Sequence, residues 1–357
     1  MAHSRPARDA GTSGYRRAVL KIALASFALA PVAVALKLLD AAPVVLFPAG
    51  AVALIPLAWL VGESTDQAAK HVGPELGALL NATFGNATEL FIAFFAIASA
   101  EFEVVRGSLT GSVVSNLLLV LGLTLVVGKP QRLDRVSVFL SLALVGAAAA
   151  AFVVPAEAHW DGIARTHAVA TRIFPACALL FALYAAAMVV QVRRDRERQG
   201  EEEEGEWSLR ASLGLLATGT AATGVLAELV TSSIEDFSKS VHLSVFFVAV
   251  VFVALVGNAA EHGAAILVAA RGEVTLAVEV ALRSSAQVAA GLIPALALLS
   301  WLLKPLPLAF RPVEIAVVGG GVALTALLLA AGRSDRVRGA VLVAAYAAAV
   351  VAFYVFG

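Results

Sequence analysis

The sequence is poor in charged residues and nearly free of cysteine. Only 15% of its 357 residues are charged, and 26 Lys and Arg balance 26 Asp and Glu. Because the formal net charge is zero, there is no general electrostatic reason to expect nucleic acid or another polyanion as a partner. The single cysteine, Cys177, excludes a disulfide within the chain and any thiolate metal cluster.

Two motifs typical of enzymes are also missing. The sequence has no Gly-rich phosphate loop ending in Gly-Lys-Ser/Thr, so ATP-driven pumping has no local support. The pair Glu261-His262 lacks the second histidine of a His-Glu-x-x-His zinc site, which argues against an intramembrane metalloprotease. We therefore expect a protein that is not an enzyme and that needs no cofactor.

Apolar residues dominate the chain instead. They account for 60% of it, and the mean hydropathy of +0.88 implies more hydrophobic surface than a soluble core can bury. Apolar runs near the roughly 20 residues that a helix needs to cross a bilayer recur along the sequence. We place eleven of them near residues 18–39, 43–61, 75–100, 105–128, 136–155, 172–192, 208–231, 241–270, 274–303, 311–332 and 336–356. The sequence therefore predicts an all-α polytopic membrane protein surrounded by the lipid bilayer.

Positive residues in the short loops predict how the chain is oriented in the membrane, because cytoplasmic loops retain Lys and Arg. Of the two alternating sets of loops, the one richer in Lys and Arg comprises the arm 1–17, the loop 129–135, the linker 193–207 and the loop 333–338. This pattern predicts a cytoplasmic N-terminus and a C-terminus on the opposite side. The charged linker, which contains Glu at each position of 201–204, is either a flexible connector or a cation-sensing segment.

An internal repeat relates the two halves of the chain. Residues 85–89, Gly-Asn-Ala-Thr-Glu, align without gaps with residues 257–261, Gly-Asn-Ala-Ala-Glu, 172 positions later. The same offset pairs Glu63 with Glu235 and Ser112 with Ser284. Five spans separate equivalent points, and because five is odd the second half must cross the membrane in the opposite sense.

This repeat defines the expected domain organisation. We predict a leading helix at 18–39, a first five-helix repeat at 43–192 and a second, inverted repeat at 208–357. Inverted repeats place a substrate site near the bilayer midplane, where the halves meet, and allow alternating access to it.

Each repeat carries one carboxylate deep inside an apolar span, Glu89 in the first and Glu261 in the second. An ionisable group near a span centre costs at least about 2.5 kcal/mol, so it faces a cavity, a partner or an ion. Asn86 and Asn258 lie three residues earlier on the same helical face and add an amide oxygen beside each carboxylate. Carboxylate and amide oxygens are ligands that hard cations such as Ca²⁺ prefer.

Neighbouring residues extend this pattern. Gly85 and Gly257 permit close helix approach or a local break that frees backbone carbonyls. In the following span of each repeat, Ser112, Ser284 and Gln287 offer neutral oxygens that complete a coordination shell.

Two carboxylates nearly balance a divalent charge, and without the ion their burial and mutual repulsion favour protonation. Cation and proton then compete for one site, which is the minimum mechanism of an antiporter. His262 is either a proton relay beside Glu261 or a donor to a neighbouring helix. Glu63 and Glu235 are either solvated carboxylates at span ends or groups that gate proton entry.

The motifs resemble a known family. Residues 80–90, Leu-Asn-Ala-Thr-Phe-Gly-Asn-Ala-Thr-Glu-Leu, and residues 257–262, Gly-Asn-Ala-Ala-Glu-His, are similar to the two signature repeats of the Ca²⁺/H⁺ antiporter branch of the Ca²⁺/cation antiporter superfamily. The resemblance covers nearly the whole chain. It implies two inverted five-helix repeats plus one leading helix, and alternate binding of Ca²⁺ and protons by Glu89 and Glu261. It also implies supporting ligands at Asn86, Asn258, Ser112, Ser284 and Gln287.

Two positions depart from the family pattern. Arg283 stands where glycine usually precedes the serine pair, and the family's basic residue before the short turn near Ala98 to Glu101 is missing. The leading hypothesis is Ca²⁺ export driven by proton entry, and the alternative is Na⁺ or K⁺ exchange for H⁺, in which Arg283 weakens the preference for divalent charge. A Na⁺/Ca²⁺ exchanger is disfavoured because such relatives usually carry proline in these motifs, and neither motif here contains one. A passive channel is physically allowed and is distinguished by the proton dependence of the flux. We expect a bacterial inner-membrane protein, with homo-oligomerisation left open.

Overall fold

The computed structural model describes residues 6–157, 166–198 and 206–357, and it is helical in these ranges apart from short connections. The thirteen helices in these ranges are α1 Pro6–Leu38, α2 Pro43–Val72, α3 Pro74–Phe84, α4 Ala87–Ser99, α5 Phe102–Val127, α6 Arg135–Glu157, α7 Thr166–Arg198, α8 Leu209–Val241, α9 Val245–Gly257, α10 Ala259–Ala270, α11 Val274–Leu302, α12 Pro312–Leu329 and α13 Arg336–Phe356. Proline opens α2, α3 and α12, where its fixed φ suits the first helical turn and its missing N–H costs nothing.

Among the described residues, nine helices are individually long and apolar enough to cross a membrane. Two further spans are bent pairs: α3 and α4 meet at 50°, and α9 and α10 meet at 57°. With each pair taken as one span the count is eleven, which confirms the predicted all-α polytopic class. The chain is an integral membrane protein.

Some predicted boundaries differ from the structure. α2 continues to Val72 instead of ending near residue 61, and α8 continues to Val241 instead of ending near 231. The reason is that polar residues in these extensions, such as Ser64 and Gln67, are buried against the protein and do not interrupt the helix.

Two of the predicted segments, the N-terminal arm and the linker, are only partly covered by the described residues. α1 begins at Pro6, inside the segment expected to be an arm at 1–17, and residues 1–5 lie outside the described ranges. α7 continues to Arg198, so the start of the linker 193–207 is helical, while residues 199–205 lie outside the described ranges.

The helix boundaries follow the 172-residue offset found in the sequence. α4 and α10 begin at Ala87 and Ala259, and α5 and α11 begin at Phe102 and Val274. Each of the latter helices contains a π-helical turn, Ser115–Val120 in α5 and Gln287–Leu292 in α11, again at the same offset. π-turns inside α-helices are frequent at functional sites, and here both adjoin the predicted ligands.

The interior is built from helices of both repeats. α2 and α8, the first helices of the two repeats, pack along each other, and α1 packs on α2. α5 crosses α9 in close contact, and their buried residues belong to the two large hydrophobic clusters of the core. Helices of the two repeats therefore meet face to face around the broken spans.

Candidate ion-binding site

The two helix breaks place the two carboxylates. In the first repeat α3 ends at Phe84 and α4 begins after Asn86, and in the second α9 ends at Gly257 and α10 begins after Asn258. Glu89 and Glu261 therefore each lie in the first turn of the helix that follows a break. Free backbone N–H groups at a helix N-terminus favour negative charge, so both breaks supply a partly positive environment for a carboxylate.

Glu89 is almost fully buried, with 4% of its surface exposed. Its Oε2 atom has no hydrogen-bond partner among the described residues. A Cβ placed on Gly257 would lie 3.7 Å from the Glu89 carboxyl carbon, so the carboxylate of the first repeat reaches the helix break of the second. Glu261 is near enough to interact with it electrostatically. The two carboxylates therefore face one shared region.

A chain of hydrogen bonds holds Glu261. Ser284 Oγ donates to Glu261 Oε2 at 2.6 Å, and Asn116 Nδ2 donates to Ser284 Oγ at 2.9 Å. Asn116 belongs to α5 of the first repeat, whereas Ser284 and Glu261 belong to the second. The carboxylate is thus oriented by a residue from the opposite half.

Asn258 makes the reciprocal connection. Its Nδ2 atom donates to Ser112 Oγ at 2.7 Å and to the Ala254 carbonyl at 2.9 Å. Its Oδ1 atom is buried and has no hydrogen-bond partner among the described residues. Asn258 Oδ1 is therefore a buried acceptor available to a cation, and Glu89 Oε2 is one available to a cation or a proton.

The remaining predicted residues occupy different places. Asn86 is buried and its Nδ2 donates back to Ala82 O at 3.4 Å, and Gln287 opens the π-turn that follows Ser284. His262 is buried beside Glu261, and its Nε2 has no hydrogen-bond partner in the described part of the chain. Glu63 accepts a hydrogen bond from Gln67 at 2.9 Å on α2.

Glu235 lies away from this cluster. It pairs with Lys239 at 2.7 Å near the end of α8, and both side chains are more than half exposed. The structure therefore brings together Glu89, Glu261, Asn258, Ser112 and Ser284, and it leaves Glu235 at the surface.

Sequence reasoning missed two contributors. Asn116 was not selected because its equivalent at the 172-residue offset is Val288, so the repeat gave no signal for it. Asp66 lies on α2 within electrostatic range of Glu261, but the predicted span stopped near residue 61 and placed it in a loop. Its position three residues after Glu63 would have indicated a shared helical face.

Arg283 lies next to Ser284 and forms an ion pair with Glu279 one turn earlier on α11. The distance from Nη2 to the Glu279 Oε2 atom is 3.5 Å, and 32% of the Arg283 side chain is exposed. Its positive charge is therefore partly balanced on its own helix.

Comparison with known proteins agrees with this geometry. The family model described as "Sodium/calcium exchanger protein" matches residues 42–193 and 211–355. The chain belongs to this family. The resemblance found in the motifs is confirmed, because the Ca²⁺/H⁺ antiporter of Aphanothece halophytica is 33% identical over 87% of this chain and 90% of that protein. The vacuolar calcium ion transporter of Schizosaccharomyces pombe is 34% identical over 85% of this chain and 77% of that protein.

The fold of this family member also has a solved counterpart. The structure of native YfkE superposes with a TM-score of 0.81 at 29% identity, covering 94% of this chain and 100% of the other. The helical fold described above is therefore shared with a solved structure over nearly the whole chain.

Proposed function

We propose that this protein exchanges Ca²⁺ for H⁺ across a membrane by alternating access, with Glu89 and Glu261 binding the cation or protons in turn. The observation that carries the proposal is the convergence of a buried carboxylate, Glu89, and a partly buried one, Glu261, on a region that also contains the unpartnered Glu89 Oε2 and Asn258 Oδ1 atoms. The names of the two relatives, a Ca²⁺/H⁺ antiporter and a calcium ion transporter, support the same substrate.

Charge balance explains why exchange would be coupled. Two buried carboxylates cost several kcal/mol when they are ionised without a counter-charge. One Ca²⁺ or two protons neutralise the pair, so the site crosses between its two access states only when it is loaded. Oxygens from carboxylates and amides also match the ligand preference of Ca²⁺. The monovalent alternative is less well supported, because one Na⁺ or K⁺ would leave a net negative charge on the pair.

The remaining roles follow from position. Asn86, Asn258, Ser112, Ser284 and Gln287 would supply or orient neutral oxygens around the ion. His262 and Glu63 would pass protons towards Glu261, and Glu235 would act at the far end of α8. From the distribution of Lys and Arg we propose a cytoplasmic N-terminus, an outward C-terminus and a location in a bacterial inner membrane.

The proposal is tested with purified protein in liposomes under an imposed pH gradient. Native protein should accumulate ⁴⁵Ca²⁺ only when the gradient is present, and Glu89→Gln and Glu261→Gln should each abolish this uptake. Glu273→Gln is the matched control, because Glu273 is an exposed glutamate at the start of α11. Gradient-driven movement of Na⁺ or K⁺ without Ca²⁺ would refute Ca²⁺/H⁺ exchange, and Ca²⁺ flux indifferent to pH would indicate a channel.

A further inference from the structure

The two helices α5 and α11, each of which follows a broken span, are packed unequally, and α5 makes a very close crossing with α9. α5 passes α9 at Gly107 and Gly111. A Cβ placed on Gly111 would overlap the Val250 carbonyl oxygen and lie 2.6 Å from the Ala254 Cβ. A Cβ on Gly107 would lie 2.9 Å from the Phe246 carbonyl oxygen. The two helices therefore touch backbone to backbone, and no side chain fits between them.

The second repeat has charged side chains at the two equivalent positions. Adding the 172-residue offset to Gly107 and Gly111 gives Glu279 and Arg283, which form an ion pair on α11. The helix equivalent to α9 is α3, and the position equivalent to Val250 is Ala78. α3 packs along α2 and makes no comparable contact with α11 in the described part of the chain. The crossing that is closed in the first repeat is thus open in the second.

Inverted repeats alternate access by exchanging such arrangements between their halves. In the opposite state α11 would approach α3 as closely as α5 now approaches α9. At that separation the Cβ of Arg283 would overlap the carbonyl oxygen of Ala78, just as a Cβ on Gly111 would overlap Val250. The Glu279 and Arg283 head groups would also lose water on closure, which costs free energy even for a paired couple.

We infer that Glu279 and Arg283 are positioning residues that keep the α3–α11 crossing from closing fully, so that the ion site rests open on this side. Arg283 is the neighbour of Ser284, which donates to Glu261, so the α3–α11 crossing adjoins the ion site. With a cytoplasmic N-terminus this side is the cytoplasm, where an exporter collects its cation. The inference rests on the proposed function, because it assumes that Glu261 is reached by alternating access.

The test measures access to Ala78, which the closed crossing would cover. The native Cys177 is fully buried and is replaced by alanine, and Ala78→Cys then provides the only thiol for a water-soluble maleimide. In purified protein, the double variant Glu279→Gly with Arg283→Gly should label about threefold more slowly, or slower still, as most molecules move to the closed state. In transport assays the same variant should show a Ca²⁺ KM on this side raised by a similar factor, because fewer molecules are competent to bind there.

Two controls separate the loss of the Cβ atoms from the loss of charge and from the destabilisation of the helix by glycine. Glu279→Ala with Arg283→Ala removes both charges but keeps each Cβ, so labelling should stay close to the native rate. Leu276→Gly adds one glycine to the exposed face of α11 and controls for the loss of helix stability that glycine causes in a helix interior. If the glycine pair fails to fold, the single Arg283→Gly variant carries the same expectation.

Unchanged labelling in the folded glycine variants would overturn the inference, as would equal slowing in the alanine pair. Labelling does not require transport. A protein that moves no Ca²⁺ would therefore refute the proposed function without altering this readout, so the two failures are distinguishable.

Discussion

The buried ion pair between Arg106 and Glu314 links the two repeats and lies outside the ion site. Arg106 Nε is 3.0 Å from Glu314 Oε2, and the side chains are only 7% and 1% exposed. Thr110 Oγ1 donates to Glu314 Oε1 at 3.1 Å, and the Arg311 backbone N–H donates to Oε2 at 2.7 Å. Arg106 also donates to the Ala309 carbonyl at 2.9 Å. The Glu314 carboxylate therefore accepts from two donors beside its ion pair, and both charges lie in a region of low dielectric.

Removing one member of this pair should be strongly destabilising. Glu314→Ala leaves the Arg106 guanidinium buried with the Ala309 carbonyl and the more distant Glu103 carboxylate, at 3.8 Å. Breaking a buried pair in this way costs about 3–5 kcal/mol. Arg106→Met leaves the Glu314 carboxylate with its Thr110 and Arg311 donors, and it should cost somewhat less. The double variant Arg106→Met with Glu314→Leu removes both charges and should recover most of the loss, because apolar replacement of a buried pair is often close to neutral.

The assay is reversible unfolding of purified protein in mixed micelles, analysed as a double-mutant cycle. The control pair is Glu235 and Lys239, whose 2.7 Å separation is shorter but whose side chains are mostly exposed, so disrupting it should leave stability unchanged. Single variants that cost less than about 1 kcal/mol, or a double variant as unstable as the sum of the singles, would refute the reasoning, because burial would then not decide the effect.

Three further predictions concern packing, the site and pH. Gly111→Ala should destabilise the protein by several kcal/mol or prevent folding, whereas Gly146→Ala, whose Cβ would lie an ordinary 3.6 Å from Val322, should be tolerated; thermal unfolding of both variants checks this difference. Asn116→Ala should weaken apparent Ca²⁺ affinity about 10-fold or more, because it removes the donor that orients Ser284 towards Glu261, and an unchanged Ca²⁺ KM in liposomes would contradict that role. Burial, followed by the nearby Glu235 and Glu103 carboxylates, raises the pKa of Glu101, which lies between α4 and α5. The ionised form is therefore disfavoured in the folded state, so Glu101→Gln should stabilise the protein at neutral pH, and its advantage should shrink as acidification protonates Glu101; a constant advantage from neutral to acidic pH would contradict this cause.

Much of the fold was predictable because its signals are local. Apolar runs of bilayer length mark spans whatever the tertiary packing, and a carboxylate such as Glu89 inside one is visible directly. The repeat was also visible, because residues 85–89 align with residues 257–261 without gaps. The helix boundaries from Ala87 to Val127 recur at the same 172-residue offset from Ala259 to Leu299. The ends of α2 and α8 were misplaced because hydropathy does not distinguish a polar residue facing protein from one facing water.

The sequence by itself determined the membrane class, the two repeats and the pair of carboxylates, since each depends on composition or spacing along the chain. Only the tertiary structure decided which polar side chains from distant segments contact the carboxylates. Asn116 reaches Ser284 across 168 positions and Arg106 pairs with Glu314 across 208, and neither contact leaves a periodic trace. The difference between the α5–α9 and α3–α11 crossings could not be predicted from the sequence either. Gly107 and Gly111 indicate a close crossing only once the structure shows that the backbone of α9 contacts them. Contacts between distant segments depend on how helices pack, and packing is a property of the whole chain.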